Sequence, residues 1–194
     1  MMARLTSSGV PMSPFAFLAT ALLILSTPGP TNTLLAANGA GRGWRASLTL
    51  PLAEALGYIL AVGGYVLLAE TLRGVAFALP ALKLAAAVWL LVSAFRLWRT
   101  PAEATPGRAA FRHVLVTTLL NPKAMIVGTA VIPAESALGP APWVLAFAAL
   151  STIAGFAWVL FGAHLPGGWR RHAYRAAALV LGAFSLVALR SAIG

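Results

Sequence analysis

The sequence predicts an all-α, polytopic membrane protein of six transmembrane helices, arranged as two inverted three-helix repeats. Three observations carry this expectation. Of 194 residues, 60% are hydrophobic and only 9% are charged, against about 25% charged in an ordinary soluble domain. Apolar runs near the roughly 20-residue length that a bilayer demands recur six times. Prolines interrupt the first and fourth runs at corresponding places, as Pro28-Gly29-Pro30 and Asn121-Pro122.

The six runs fall near residues 15–37, 47–69, 75–97, 114–133, 143–163 and 176–193. Turn-forming residues separate them: Gly39-Ala40-Gly41, Thr100-Pro101, Thr105-Pro106-Gly107, Gly139-Pro140-Ala141-Pro142 and Pro166-Gly167-Gly168. The whole chain, residues 1–194, reads as a single membrane domain. Repeat one covers about 14–98, a loop about 99–112, and repeat two about 113–193. The amino terminus does not read as a cleaved signal, because only Arg4 precedes a long apolar run and Ser26-Thr27-Pro28 offers no small-x-small site.

Orientation follows from the basic residues. The first connection carries Arg42 and Arg45, the third Arg96, Arg99, Arg108 and Arg112, and the fifth Arg170, Arg171 and Arg175. The second has Arg73 beside Glu70, and the fourth only Glu135. Connections one, three and five are therefore expected in the cytoplasm, with both termini outside. Trp44, Trp98 and Trp169 then mark the inner interface and Trp143 the outer one. Two halves of three spans have opposite orientation because three is odd, and interrupted helices at matching places in such halves point to a transport site.

Composition also excludes functions. The net charge of +10 comes from 14 basic and four acidic residues. The basic residues lie between the apolar runs and no nucleic-acid motif accompanies them, so no nucleic-acid partner is expected. The absence of cysteine removes disulfides, thiolate metal sites and cysteine nucleophiles. His113, His164 and His172 lack metal-ligand spacing, and no metal or cofactor is expected. Neither a His-Glu-x-x-His pair nor a Gly-x-Ser-x-Gly elbow is present, and the chain has no aspartate. An enzyme built on Ser93, Ser151 or Ser185 would lack a visibly positioned base.

The interrupted helices carry the candidate site. Pro28 and Pro30 remove backbone donors, Gly29 relaxes the chain between them, and groups freed at that depth must meet protein or a polar cavity. Thr31, Asn32 and Thr33 open a new half-helix whose N–H groups suit a carboxylate. Freed carbonyls on the other side suit an ammonium. The competing reading is that Asn32 and the threonines only satisfy the broken backbone. Glu54 lies about 12 Å inside span two at 1.5 Å per residue. A charged carboxylate is costly there, which makes Glu54 a candidate proton carrier or else a structural carboxylate. Lys123, about 15 Å into span four, has three readings: neutralising Glu54, binding a substrate carboxylate, or snorkelling. Lys83, nearer a span end, reads as a snorkelling residue. Gly57, Tyr58 and Ala61 share the face of Glu54.

At these residues the chain resembles the lysine-exporter type (LysE/RhtB) translocator family. The resemblance rests on Ser26-Thr27-Pro28-Gly29-Pro30-Thr31-Asn32-Thr33-Leu34 and on Asn38-Gly39-Ala40-Gly41-Arg42-Gly43-Trp44-Arg45. Leu82-Lys83-Leu84-Ala85, Phe95-Arg96-Leu97 and Leu119-Leu120-Asn121-Pro122-Lys123-Ala124 extend it. It implies six spans, export of amino acids or related metabolites, and coupling to a proton gradient. The chain departs from the family pattern at Thr31, where Asn or Asp is usual, and at Pro51 and Glu54, where small uncharged residues are common.

The resulting expectation is an exporter in the cytoplasmic membrane. Pro28, Gly29, Pro30, Asn121 and Pro122 would shape the cavity, Thr31 and Asn32 would contact the solute, Glu54 would carry the proton, and Lys123 would bind or tune charge. The expected partners are a small amino-acid-like solute and the lipid bilayer, and a homo-oligomer is compatible with the sequence. The alternatives are an exporter of metal or other small ions on the same architecture, a membrane-embedded enzyme and a non-transporting scaffold.

Overall fold

A computed structural model describes residues 13–74, 77–99, 107–133 and 136–193. Eight α-helices form among them: α1 (Pro14–Ser26), α2 (Pro30–Arg42), α3 (Leu50–Gly74), α4 (Ala78–Arg99), α5 (Gly107–Leu119), α6 (Pro122–Ile126), α7 (Ala141–Ala163) and α8 (Gly167–Ile193). A 3-10 turn, Arg45–Ser47, precedes α3, and a π turn, Val127–Val131, extends α6. There is no strand among the described residues. Thr100-Pro101, Thr105-Pro106 and Glu135 lie outside the described residues.

Four helical stretches are long and apolar enough to cross a membrane: Arg45–Leu67, Pro80–Arg99, Ala141–Ala163 and His172–Ala192. Two pairs qualify jointly but are bent, α1 with α2 by 56° and α5 with Pro122–Val131 by 43°. The total is six if each bent pair is one span. The described residues thus form an all-helical structure with four to six candidate membrane-spanning stretches, and the bends fall at the two proline sites.

Proline explains both. Ser13 caps the start of α1 by accepting from the Ala16 N–H. The helix cannot continue through Pro28 and Pro30, which lack the N–H groups that the Ile24 and Ser26 carbonyls would otherwise receive. Pro30 and Pro122 then open α2 and α6 at the first helical position, where a missing N–H costs nothing. Asn121 caps α6 by accepting from the Lys123 N–H at 3.0 Å.

One predicted break is absent. Gly39-Ala40-Gly41 is helical, and α2 runs on to Arg42 before ending at Gly43, whose φ of 78° favours glycine. Glycine at 39 serves packing instead. A Cβ there would collide with the Val159 carbonyl, and one at Gly162 would collide with the Ala36 carbonyl. Small residues on both partners let α2 and α7 touch backbone to backbone. Several predicted boundaries also move outward: α5 begins at Gly107 rather than near 114, and α8 at Gly167 rather than near 176.

Two apolar clusters fill the interior. One joins Leu34, Leu35, Ala53, Leu90, Val114, Val159 and Leu181. The other joins Phe17, Leu25, Tyr58, Val62, Ala124, Val127 and Phe147. Buried polar residues lie between members of the two clusters along four stretches of chain. Thr31 and Asn32 fall between Leu25 and Leu34, Glu54 between Ala53 and Tyr58, and Thr117, Thr118 and Asn121 between Val114 and Ala124. Ser151 falls between Phe147 and Val159. A polar layer therefore separates the two cores.

Candidate functional site: two helix breaks in one polar layer

The breaks meet. Thr31, on the first turn of α2, is completely buried. Its hydroxyl accepts from Asn121 Nδ2 at 3.1 Å and lies 3.2 Å from the Thr118 hydroxyl. Because Thr118 donates to the Val114 carbonyl of its own helix at 2.9 Å, the Thr31 hydroxyl supplies the proton between the two threonines. One side chain of the first break thus binds residues on both sides of the second. Next to it, Trp89 Nε1 donates to Thr117 Oγ1 at 3.0 Å.

The carbonyls that the first break releases are served by side chains. Asn32 Nδ2 donates to the Leu25 carbonyl at 2.7 Å and to the Thr27 carbonyl at 2.9 Å, and Trp158 Nε1 reaches Leu25 at 3.2 Å. Lys123 Nζ donates to the Ile24 carbonyl at 2.9 Å and also to that of Thr27. Ile24 is the residue whose helical donor Pro28 removes. The Thr33 hydroxyl donates to the Gly29 carbonyl at 2.7 Å. The amide donors of Asn32 and the hydroxyl of Thr33 are thereby committed to the backbone, as the competing sequence reading holds. For Lys123 the structure adds a role outside the three readings: it caps the first break from the second.

Glycine makes that cap fit. A Cβ on Gly29 would stand 2.9 Å from Lys123 Cε and 3.1 Å from Nζ, so a side chain there would push the end of the lysine aside.

Glu54 is 1% exposed, and neither carboxylate oxygen has a hydrogen-bond partner among the described residues. Pro51, Leu35 and the backbone of α7 surround it, and a Cβ on Gly155 would lie 2.6 Å from Oε2. One turn on, the Tyr58 hydroxyl is likewise buried without a partner among them, while its ring packs edge-on against Phe147 at 5.1 Å. Gly57, between them, leaves room for Thr118, whose Cβ would lie 2.7 Å from a Cβ there. The Glu54 face of α3 therefore abuts the Thr31–Thr118–Asn121 chain of hydrogen bonds. A buried carboxylate that accepts nothing can exist cheaply only with its proton on or with a cation at hand.

A cavity of about 190 Å³ opens on the other side of the second break, lined by Asn121, Pro122, Tyr65, Ala86 and Lys83 among others. Its lining includes neither Glu54 nor Lys123. Lys83 donates to the Ser191 carbonyl at 2.9 Å, near the end of α8. Among the described residues, no three His, Cys, Asp or Glu side chains gather to hold a metal ion.

Pro28, Gly29, Pro30, Thr31, Asn32, Asn121, Pro122 and Lys123 thus belong to one connected assembly, with Glu54 against its flank. Sequence reading missed Thr118, Trp158 and Gly155. Trp158 carried a signal, since an indole N–H inside an apolar span needs an acceptor. Thr118 and Gly155 carried none. No protein-family model matches the chain, and comparison with curated proteins and with solved structures likewise gives no match.

Proposed function

We propose that the protein is a secondary transporter that exports amino acids or related small zwitterionic metabolites across the cytoplasmic membrane by proton antiport. The observation that best supports this reading is the meeting of two proline breaks in a buried polar layer beside an unpartnered carboxylate. Irregular backbone at membrane depth is tolerated where protein buries it or a water-filled cavity needs it, and interrupted helices in two inverted halves are how many transporters build a solute site. The resemblance of the Pro28-Gly29-Pro30 and Asn121-Pro122-Lys123 segments to lysine-exporter type translocators points the same way.

In this reading Pro28, Gly29, Pro30, Asn121 and Pro122 shape the passage, Thr31 and Asn32 contact the solute on giving up the bonds they make here, and Glu54 carries the counter-transported proton. Thr31, Asn32, Asn121 and Glu54 are all buried, so in this reading a solute reaches them only in another conformation. Both termini face outward, as the distribution of arginines argues.

Reconstituted vesicles test the proposal. Wild-type protein should move protons only when a transported amino acid is present. Glu54→Gln should abolish gradient-driven efflux while leaving insertion and the unfolding transition in place. Full coupled efflux by that variant removes Glu54 from the proton pathway, and absence of any solute-dependent proton movement in the wild type removes transport. Cysteine labels at the exposed positions Ala46 and Ala137 check sidedness in the same vesicles.

A further inference from the structure

The Ile24 and Thr27 carbonyls hold an ammonium group: that of Lys123, which spends two of its three donors on them. Three features make this more than a helix cap. Pro28 removes the backbone donor of Ile24, and the bend at Pro28–Pro30 leaves Thr27 without the Thr31 N–H that a continuous helix would supply. The floor is Gly29, over which Lys123 Cδ, Cε and Nζ lie at 3.7, 2.9 and 3.1 Å from the place of a Cβ, so the end of an alkylammonium packs on bare backbone. The site borders the outer surface of the helices, since Ser26, Thr27 and Pro28 are exposed and Lys123 is only half-buried. Asn32 and Trp158 meanwhile hold Leu25, and Asn32 holds Thr27 from the inner side, so the loop has supports besides the lysine.

We infer that the first break is a binding site for a primary ammonium group. Lys123 fills it from within in this conformation, and the ammonium end of a solute fills it when Lys123 withdraws. A carbonyl pair with an alkyl-wide floor selects a primary ammonium over a quaternary one, which has no N–H to donate. The site is independent of the transport proposal; only its use by an exported solute rests on that reading.

The test is chemical replacement of the missing side chain. Lys123→Ala in detergent should unfold on the order of 5 °C below wild type, as expected for losing two charge-assisted bonds. n-Propylammonium chloride should restore at least half of that loss. Tetramethylammonium and sodium chloride at equal concentration should restore none, and wild type should respond to none of the three. Equal recovery in all three salts, or recovery in none, overturns the ammonium site. If Lys123→Ala yields no folded protein in plain buffer, extraction with n-propylammonium against tetramethylammonium decides: monodisperse protein with the former alone supports the site, and with both or neither overturns it. Because the readout is unfolding, failure here leaves the vesicle assay standing, and failure of the vesicle assay leaves this result standing.

Discussion

The two helix breaks are built from similar residues yet solve their shared problem in opposite ways. The second satisfies its own backbone: Asn121 caps α6 through the Lys123 N–H, and its own N–H returns to the Thr118 carbonyl at 3.1 Å. The first cannot. Pro28 and the bend leave carbonyls that Trp158 and Lys123 must also reach, from α7 and α6. It is also the sharper bend, 56° against 43°. A break with one proline and a capping asparagine has donors to lend, and here it lends them to the other. The Thr31 hydroxyl returns one donor to Thr118, so the exchange between the two halves of the chain is unequal.

Three substitutions grade that asymmetry. Asn32→Leu, which removes donors from two carbonyls while keeping the volume, should destabilise the fold most, by about 2 kcal/mol. Asn121→Ala should cost less, about 1 kcal/mol, because it removes a helix cap and one bond to Thr31 while the backbone bond to Thr118 survives. Trp158→Phe should cost least, about 0.5 kcal/mol, since Asn32 continues to serve Leu25. Denaturant titration of the three variants in one detergent gives the order. Should Asn121→Ala cost as much as Asn32→Leu, the second break is no more self-sufficient than the first, and the comparison fails.

Much of this was legible in the sequence because proline acts locally. Pro28, Pro30 and Pro122 each delete an N–H wherever they stand, so the breaks at residues 28–30 and 121–122 follow from chemistry alone. Glu54 could be singled out in the same way, as an acidic residue in an apolar run. What could not be read was who answers whom. The bond from Lys123 to Ile24 joins residues 99 apart in sequence, and only the packing of α6 beside α1 makes it. The misreading of Gly39-Ala40-Gly41 has a related cause. Glycine marks both a chain that turns and a chain that another backbone must approach, and only the position of α7 shows that the second applies at Gly39.

That approach has a mechanical consequence. With Gly39 seated against the Val159 carbonyl and Gly162 against that of Ala36, α2 and α7 are keyed together by their main chains and must travel as one beam. α1 is held differently. Its inward residues Phe17, Ala21 and Leu25 pack through side chains, Phe17 edge-on to the Trp143 ring at 4.9 Å, and Phe15, Leu18, Leu22 and Leu23 face outward. Flexing at Pro28–Pro30 would consequently fall on α1, with the Lys123 side chain as the pin across that hinge.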